Sequence, residues 1–260
     1  MRGFVQVALG VALLSTQTGW SQQDPVARLE AEVAANPSQL DLAMELGDAA
    51  AKAGRLDLAL ASFQKVLAQL EPDSRGAGDL HLRIGETYRR KGDLAAATQS
   101  LKRASQLLPD RAVVMGTLAL VLDASGFKAE AVDAYGATLA LDPDNAIAMN
   151  NLAFLLAEQG KNLDQAWGLA QHAIELTDDD PEVLDTAGWV QWKRREVDSA
   201  IELFSKALSK DAENAEYRKH LLMAIAERQD AAAGELRALL AGSGKDAQKL
   251  GDLLRAIQRQ

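Results

Sequence analysis

Apolar residues recur along this chain at helical spacing, in segments broken by short polar turns, and the pattern is clearest from Asp144 to Ala212. That stretch reads as one helical hairpin written twice. In the first copy Leu152 and Ala153 fall mid-helix, Gly160 follows the apolar run, and Ala166, Ala170 and Ala173 line the second helix. In the second copy Ala187 and Gly188 take the place of the first pair, Arg195 stands at the turn, and Ala200, Phe204 and Ala207 line the second helix. No segment alternates apolar and polar residues between Asn-Gly or Asp-Gly turns, so strands are not predicted.

The same marks extend in both directions. In the first helix of each unit they fall at Gly47, Gly85, Ala119, Ala153, Gly188 and Leu222, with steps of 38, 34, 34, 35 and 34 residues. In the second helix they fall at Ala59, Ala97, Ala131, Ala166, Ala200 and Gly234, with steps of 38, 34, 35, 34 and 34. A fixed period in this range predicts stacked units, each unable to bury its apolar face alone. Small residues are expected at the marks because the two helices of a hairpin cross closely there. Leu46, Phe63, Leu101, Tyr135 and Phe204 are then expected to fill the space between neighbouring hairpins.

With these positions in place the chain resembles the tetratricopeptide-repeat family, whose 34-residue units carry a recurring Leu-Gly, Tyr, Ala, Phe, Ala, Pro pattern. The matching residues are Ile84-Gly85, Tyr88, Gly92, Ala97, Ala104 and Pro109 in the second unit, and Gly188, Ala200, Phe204 and Ala207 in the fifth. The likeness covers about three quarters of the chain. It implies an all-α fold, an α-solenoid built as a right-handed superhelix of stacked helix-turn-helix repeats. Units are expected near 40–73, 78–111, 112–145, 146–180 and 181–214, with a degenerate sixth at 215–241, together an array over 38–241. Four extra residues at Ser74-Arg75-Gly76-Ala77 are expected to lengthen the first helix of the second unit. One extra residue at Lys161-Asn162 is expected to lengthen the turn of the fourth.

Both flanks carry their own signals. Residues 1–21 hold one basic residue, an apolar run from Phe4 to Leu14, and small residues at Gly19 and Ser21. A run this short cannot span a bilayer of ~30 Å, so it reads as an export signal cut after Ser21 to leave Gln22 first, with an uncleaved anchor as the alternative. No cysteine follows for lipid attachment, and nothing later is apolar enough to form an integral membrane span. The expected location is therefore outside the cytoplasm, periplasmic or secreted. Asp24-Pro25 opens a capping helix within 22–37 that presents Val26, Leu29 and Val33 on one face. Residues 242–260 supply a second cap, with Leu250, Leu253, Leu254 and Ile257 along one stripe.

Composition and charge narrow the function. At 48% hydrophobic and 5% aromatic residues, the chain suits an alanine-rich helical array. A net charge of −9 with dispersed basic residues disfavours nucleic acid, whose phosphates require a concentrated positive field. The absence of cysteine excludes disulfides, thiolate metal sites and cysteine nucleophiles. His81, His172 and His220 are 91 and 48 residues apart, with no partner at i+3 or i+4, which is no zinc spacing. There is no glycine-rich phosphate loop, nucleophile elbow or H-E-x-x-H. The expectation is a non-enzyme with no catalytic residue, no metal and no cofactor; catalytic groups converging from distant repeats would leave no motif to read. Asp178-Asp179-Asp180 before Pro181 reads as a loop capping a helix N-terminus, with a cation site as the alternative. Arg89-Arg90-Lys91 and Lys193-Arg194-Arg195 read as the last turns of first helices, where cations complement the dipole, with an anionic peptide or envelope partner as the alternative.

The resemblance implies that first helices build the concave surface. Counting from the small-residue marks, its inward positions are Val113, Gly116 and Leu120, then Ile147, Asn150, Asn151 and Phe154, then Asp185, Trp189 and Trp192. Tryptophan joins a large apolar area to a donor that needs a partner, which suits an interface anchor, although the same rings can pack against the sixth unit. Asn151 resembles the groove asparagine that clamps peptide backbone in this family. The equivalent positions hold Glu45, Arg83, Thr117, Thr186 and His220, so an asparagine ladder is absent. The lysine and asparagine pairing that grips C-terminal carboxylates is absent too, since the first unit offers Met44 and Asp48. Leu120, Ile147, Asn150, Asn151, Phe154, Trp189 and Trp192 are the candidate partner-binding residues. The function implied is a protein-protein interaction scaffold of the cell envelope that holds a peptide or helix, with a self-assembling homo-oligomer as the alternative.

Overall fold

Twelve helices, and no strand, occupy residues 24–227, the part of the chain that the computed structural model describes. The leader, Gly234 with the second helix of the sixth unit, and the stripe from Leu250 to Ile257 lie outside the described residues. The described chain falls into two compact units, 24–66 and 67–227. In the first, α1 (Pro25–Ala35) packs on α2 (Leu40–Lys52) and buries Val26 and Leu29; α3 (Leu56–Leu67) completes the hairpin. Asp24 caps α1 through its Oδ1, which accepts from the Val26 amide at 3.1 Å, and Pro25 opens the first turn.

In the second unit, four hairpins follow one another. They are α4 (Arg75–Lys91) with α5 (Leu94–Leu107), α6 (Ala112–Ala124) with α7 (Lys128–Leu141), α8 (Ala146–Glu158) with α9 (Leu163–Thr177), and α10 (Pro181–Lys193) with α11 (Val197–Lys210). A further helix, α12 (Ala215–Glu227), packs on α11 and α10. The second helix of each hairpin packs on the first helix of the next, and one buried apolar cluster runs from Ala97 to Ile225. The fold is an all-α solenoid of stacked helix-turn-helix repeats.

The turns explain where each first helix stops. Gly54, Gly92, Gly126 and Gly160 take φ of 77°, 83°, 82° and 62°, the left-handed region that glycine enters without a Cβ clash. The following amides, of Arg55, Asp93, Phe127 and Lys161, donate to the carbonyl five residues back at 2.9–3.1 Å, closing the helix end. In the fifth unit Arg195 takes the same place with φ 68°, and Glu196 makes the equivalent bond to Gln191 at 3.0 Å. The extra residues also act locally. Capped by Ser74, α4 is 17 residues long where α6, α8 and α10 have 13. The longer fourth turn places Asn162 at φ 49° before α9.

The described glycine and alanine marks are buried, and at the glycines a large side chain, more than the facing backbone, fills the space. A Cβ on Gly188 would lie 2.7 Å from Phe204 Cδ1, and one on Gly85 would lie 2.6 Å from Leu101 Cγ. Phe63 stands against Gly47 in the same way. The glycine makes room for a large side chain of its own hairpin. Phe63, Leu101 and Phe204 therefore lock hairpins internally, rather than filling only the space between neighbours.

Two substitutions test these local causes. Gly188→Val forces a branched side chain into the rigid Phe204 ring and is expected to cost about 1–3 kcal/mol. Arg195→Gly relieves a left-handed backbone and is expected to stabilise by ~1 kcal/mol. Urea unfolding of both variants beside the parent checks each sign; a neutral Gly188→Val would mean that Phe204 has room to move.

Candidate functional site

The site begins with α8. Asn145 caps this helix, accepting from the Ala148 amide at 3.0 Å, and the helix then sets Ile147, Asn150, Asn151, Phe154 and Glu158 along one stripe. Its apolar residues face neighbours almost everywhere else, with Ala148, Met149, Leu152, Leu155 and Leu156 buried. Ile147 is 65% exposed. Helix α6 adds Val113 at 52% and Leu120 at 37%, so three large apolar side chains stand open on adjoining helices.

Two recesses flank this shelf. A cavity of about 400 Å³ is walled by Leu120, Ile147 and Val183, floored by Asn150 and Asn151, and bordered by Asp180 and Glu182 at the start of α10. A second, of about 140 Å³, shares Leu120 and Ile147 and adds Val113, Gly116 and Tyr135. A recess of about 450 Å³ along α1 is lined by residues of that helix and its two flanking positions alone, with no aromatic side chain.

Asn150 Oδ1, on a residue 7% exposed, is buried without a hydrogen-bond partner among the described residues, and the Tyr135 hydroxyl is buried at the smaller recess beside the Asn151 amide. Burial pushes the Tyr135 phenol well above its ordinary range, Asp123 adds to the rise, and the Asn151 amide opposes it more weakly. The α10 border is negative. Asp180 uses Oδ1 to cap α10, accepting from Glu182 at 2.9 Å and Val183 at 3.4 Å. Among the described residues Glu182 forms no ion pair. The Tyr217 phenol is raised by burial first, then by Asp185, Glu182, Asp180 and Asp211.

Phe154, Trp189 and Trp192 gather in a separate aromatic cluster. The Trp189 ring lies 4.9 Å from Trp192, 4.9 Å from His220 and 6.4 Å from Phe154. Its Nε1 donates to Glu158 Oε1 at 2.9 Å, and Lys193 Nζ stands 4.8 Å from the ring centre. His220 on α12 sits with Nδ1 2.8 Å and 3.0 Å from the Asp185 carboxylate oxygens, and both side chains are 13% exposed. Trp189 thus packs partly on the sixth unit, the alternative that its sequence position allowed. Trp192 Nε1 is buried without a partner among the described residues.

The structure groups Leu120, Ile147, Asn150 and Asn151 around one recess, and Phe154, Trp189 and Trp192 in the aromatic cluster. Asp180, Glu182 and Val183 were not among the sequence candidates, because Asp180 read only as a cap. Asp185–His220 joins residues 35 apart, so adding one repeat length to Asp185 finds it, whereas Trp189–Glu158, 31 apart, falls one helical turn short of that spacing. The second basic cluster is corrected: α10 ends at Lys193, leaving Arg194 as its C-cap, paired with Asp164 at 2.8 Å, and Arg195 beyond. His81 is half-buried, and burial, then Arg103, lowers its pKa. Among the described residues no cluster of three or more His, Asp or Glu is placed to hold a metal, and no helix is long and apolar enough to cross a membrane.

Residues 26–75 and 117–181 match one form of the tetratricopeptide repeat, and residues 78–110 match another. The chain belongs to the tetratricopeptide-repeat family. Within this tetratricopeptide-repeat group it is 26% identical over 163 residues to a TPR repeat-containing protein of Pseudomonas aeruginosa, covering 63% of this chain and 27% of that one. It is 32% identical over 124 residues to cellulose synthase operon protein C of Pseudomonas fluorescens, covering 48% and 10%. The chain therefore spans about a quarter or less of the length of these curated relatives. A solved structure of MamA shares 25% identity with a TM-score of 0.59, covering 68% of this chain and 94% of that one. YrrB, described as a TPR protein with an unusual peptide-binding site, superposes with a TM-score of 0.63 at 18% identity, covering 76% and 98%; that likeness concerns the fold alone.

The buried phenol at the recess gives a pH prediction. Because the folded pKa of Tyr135 lies above the ordinary value of 10.0, the unfolded chain loses its proton first. Stability is then fully present below pH ~10 and falls as pH rises beyond it. Tyr217, also raised, acts in the same direction. Tyr135→Phe is expected to flatten the decline between pH ~10 and ~12 while leaving neutral stability within ~1 kcal/mol. Denaturation midpoints measured across that range check it, and an undiminished decline in the variant counts against the burial.

Proposed function

We propose that the protein is a non-catalytic interaction scaffold of the cell envelope that holds a segment of a partner protein along its first helices. Leu120, Ile147, Asn150 and Asn151 form the main contact, and Phe154, Trp189 and Trp192 continue it. The observation that carries this reading is Ile147, 65% exposed on a helix that buries Ala148, Met149, Leu152, Leu155 and Leu156, between two recesses that share it. Proteins of this family are generally scaffolds without catalysis, which agrees with a site of apolar and amide groups. The layout that accompanies the reading is an export signal at 1–21, caps at 22–37 and 242–260, and the array between them. Export rests on the leader sequence alone.

Burial of an aliphatic side chain contributes about 1.5–3 kcal/mol, and Ile147 has little packing of its own to lose. Ile147→Ser is therefore expected to weaken partner binding ~10-fold or more without lowering the unfolding midpoint. The partner is found by placing a photo-crosslinking residue at Ile147 in cells and, as a control, at Gly136, where an added Cβ meets nothing within 4 Å. A discrete protein adduct at Ile147 alone supports the site, and equal labelling at both positions or none at either rejects it. Capture of a second copy of the chain would replace the partner by self-assembly. The N-terminal residue of the protein recovered from the envelope fraction reports on export: Gln22 is expected, and a cytoplasmic chain that retains Met1 overturns that part.

A further inference from the structure

The recess between α6, α8 and α10 has chemistry specific enough to define its occupant further. Resting on the scaffold reading above, we propose that it receives an extended, cationic segment of a partner protein, with an apolar side chain against Leu120, Ile147 and Val183 and a lysine or arginine at Asp180 and Glu182. Its volume of about 400 Å³ lies within the range of ligand-holding cavities.

Three observations converge on that occupant. Asn150 lines the recess, is 7% exposed and leaves its Oδ1 without a partner among the described residues, so the floor offers an acceptor for a ligand donor. A helical ligand has already spent its main-chain N–H groups internally, whereas an extended one presents them. The start of α10 would ordinarily attract an anion to its free amides. Here the Asp180 carboxylate occupies the Glu182 and Val183 amides, and Glu182 adds a second charge with no ion pair among the described residues, so the border repels anions instead. Among the described residues no lysine or arginine lines the recess to neutralise them. The rise of the Tyr217 phenol, to which Glu182 and Asp180 contribute, reports the same negative field. A net charge of −9 steers a basic segment toward the chain from a distance.

The test uses the full chain and fluorescein-labelled peptides repeating Leu-Ser-Arg-Ser, with counterparts carrying Glu for Arg or Ser for Leu, read by anisotropy at physiological ionic strength. The arginine peptide is expected to bind at least ~10-fold more tightly than either counterpart. Asp180→Asn with Glu182→Gln, in which asparagine keeps the helix cap, is expected to weaken it ~10-fold. Asp133→Asn with Glu213→Gln removes the same charge from exposed positions elsewhere and is expected to change it less than ~2-fold. Equal weakening by both pairs would mean diffuse attraction and overturn the proposal. Equal binding of arginine and glutamate peptides, both lost in Ile147→Ser, would keep the groove and overturn its charge preference. No peptide binding, with Ile147 still crosslinking a partner in cells, would do the same. If neither peptide binding nor the cellular crosslink responds to Ile147, the scaffold reading itself fails.

Discussion

A large side chain seated where the facing helix carries none is the contact on which this protein depends. Phe63 against Gly47, Leu101 against Gly85 and Phe204 against Gly188 repeat it, each pair separated by the same count along the chain. The large partner is buried to 1% or less in every case, so each lock is sealed on all sides by the hairpin and its neighbours. In the third unit Tyr135 holds the corresponding position, opposite Ala119. The change from phenylalanine or leucine to tyrosine adds a buried hydroxyl at the smaller recess, beside the Asn151 amide. One substitution in the packing rule thus gives the candidate site part of its floor.

Stacking does the rest of the folding work, and exposed polar contacts mark its register. Arg75 reaches Asp110 at 3.0 Å, Arg111 reaches Asp79 at 3.0 Å, and Arg194 reaches Asp164 at 2.8 Å, each across about one repeat length. Such exposed pairs contribute roughly 0–1 kcal/mol apiece, too little to hold the array together. The continuous apolar cluster from Ala97 to Ile225 is the larger contribution, since a hairpin separated from its neighbours would expose both flanks.

Much of this was legible because the period is a property of the sequence. Helix positions, the buried marks, the caps at Asp24-Pro25 and Asp180-Pro181, and the arginine standing where other units have a turn glycine all follow from local rules. The destination of the large residues did not follow, because a period counts positions along the chain and cannot say which neighbour a side chain meets. Asp185 with His220 and Trp189 with Glu158 were hidden for a related reason. Each looks isolated in a local window; one repeat length added to Asp185 reaches His220, while Glu158 meets Trp189 a helical turn short of that step. Asp180 was read correctly as a cap, yet a cap uses one carboxylate oxygen and leaves its charge facing whatever lies beside the helix.

The exposure of Ile147 follows from how α8 is covered. A helix that is apolar around most of its circumference normally belongs in a core, and α8 carries Ala148, Met149, Leu152, Leu155 and Leu156 inside. Stacking covers it with α7, α9 and α10, all from its own or adjoining hairpins. Those neighbours account for every buried apolar residue on the helix and leave one stripe open, where Ile147, Asn151, Phe154 and Glu158 emerge. A purely structural stripe in that place would carry charged or small polar residues at no energetic loss. Instead it holds a branched aliphatic side chain in water and, beside it, an unpartnered amide oxygen, two features that stacking alone has no use for.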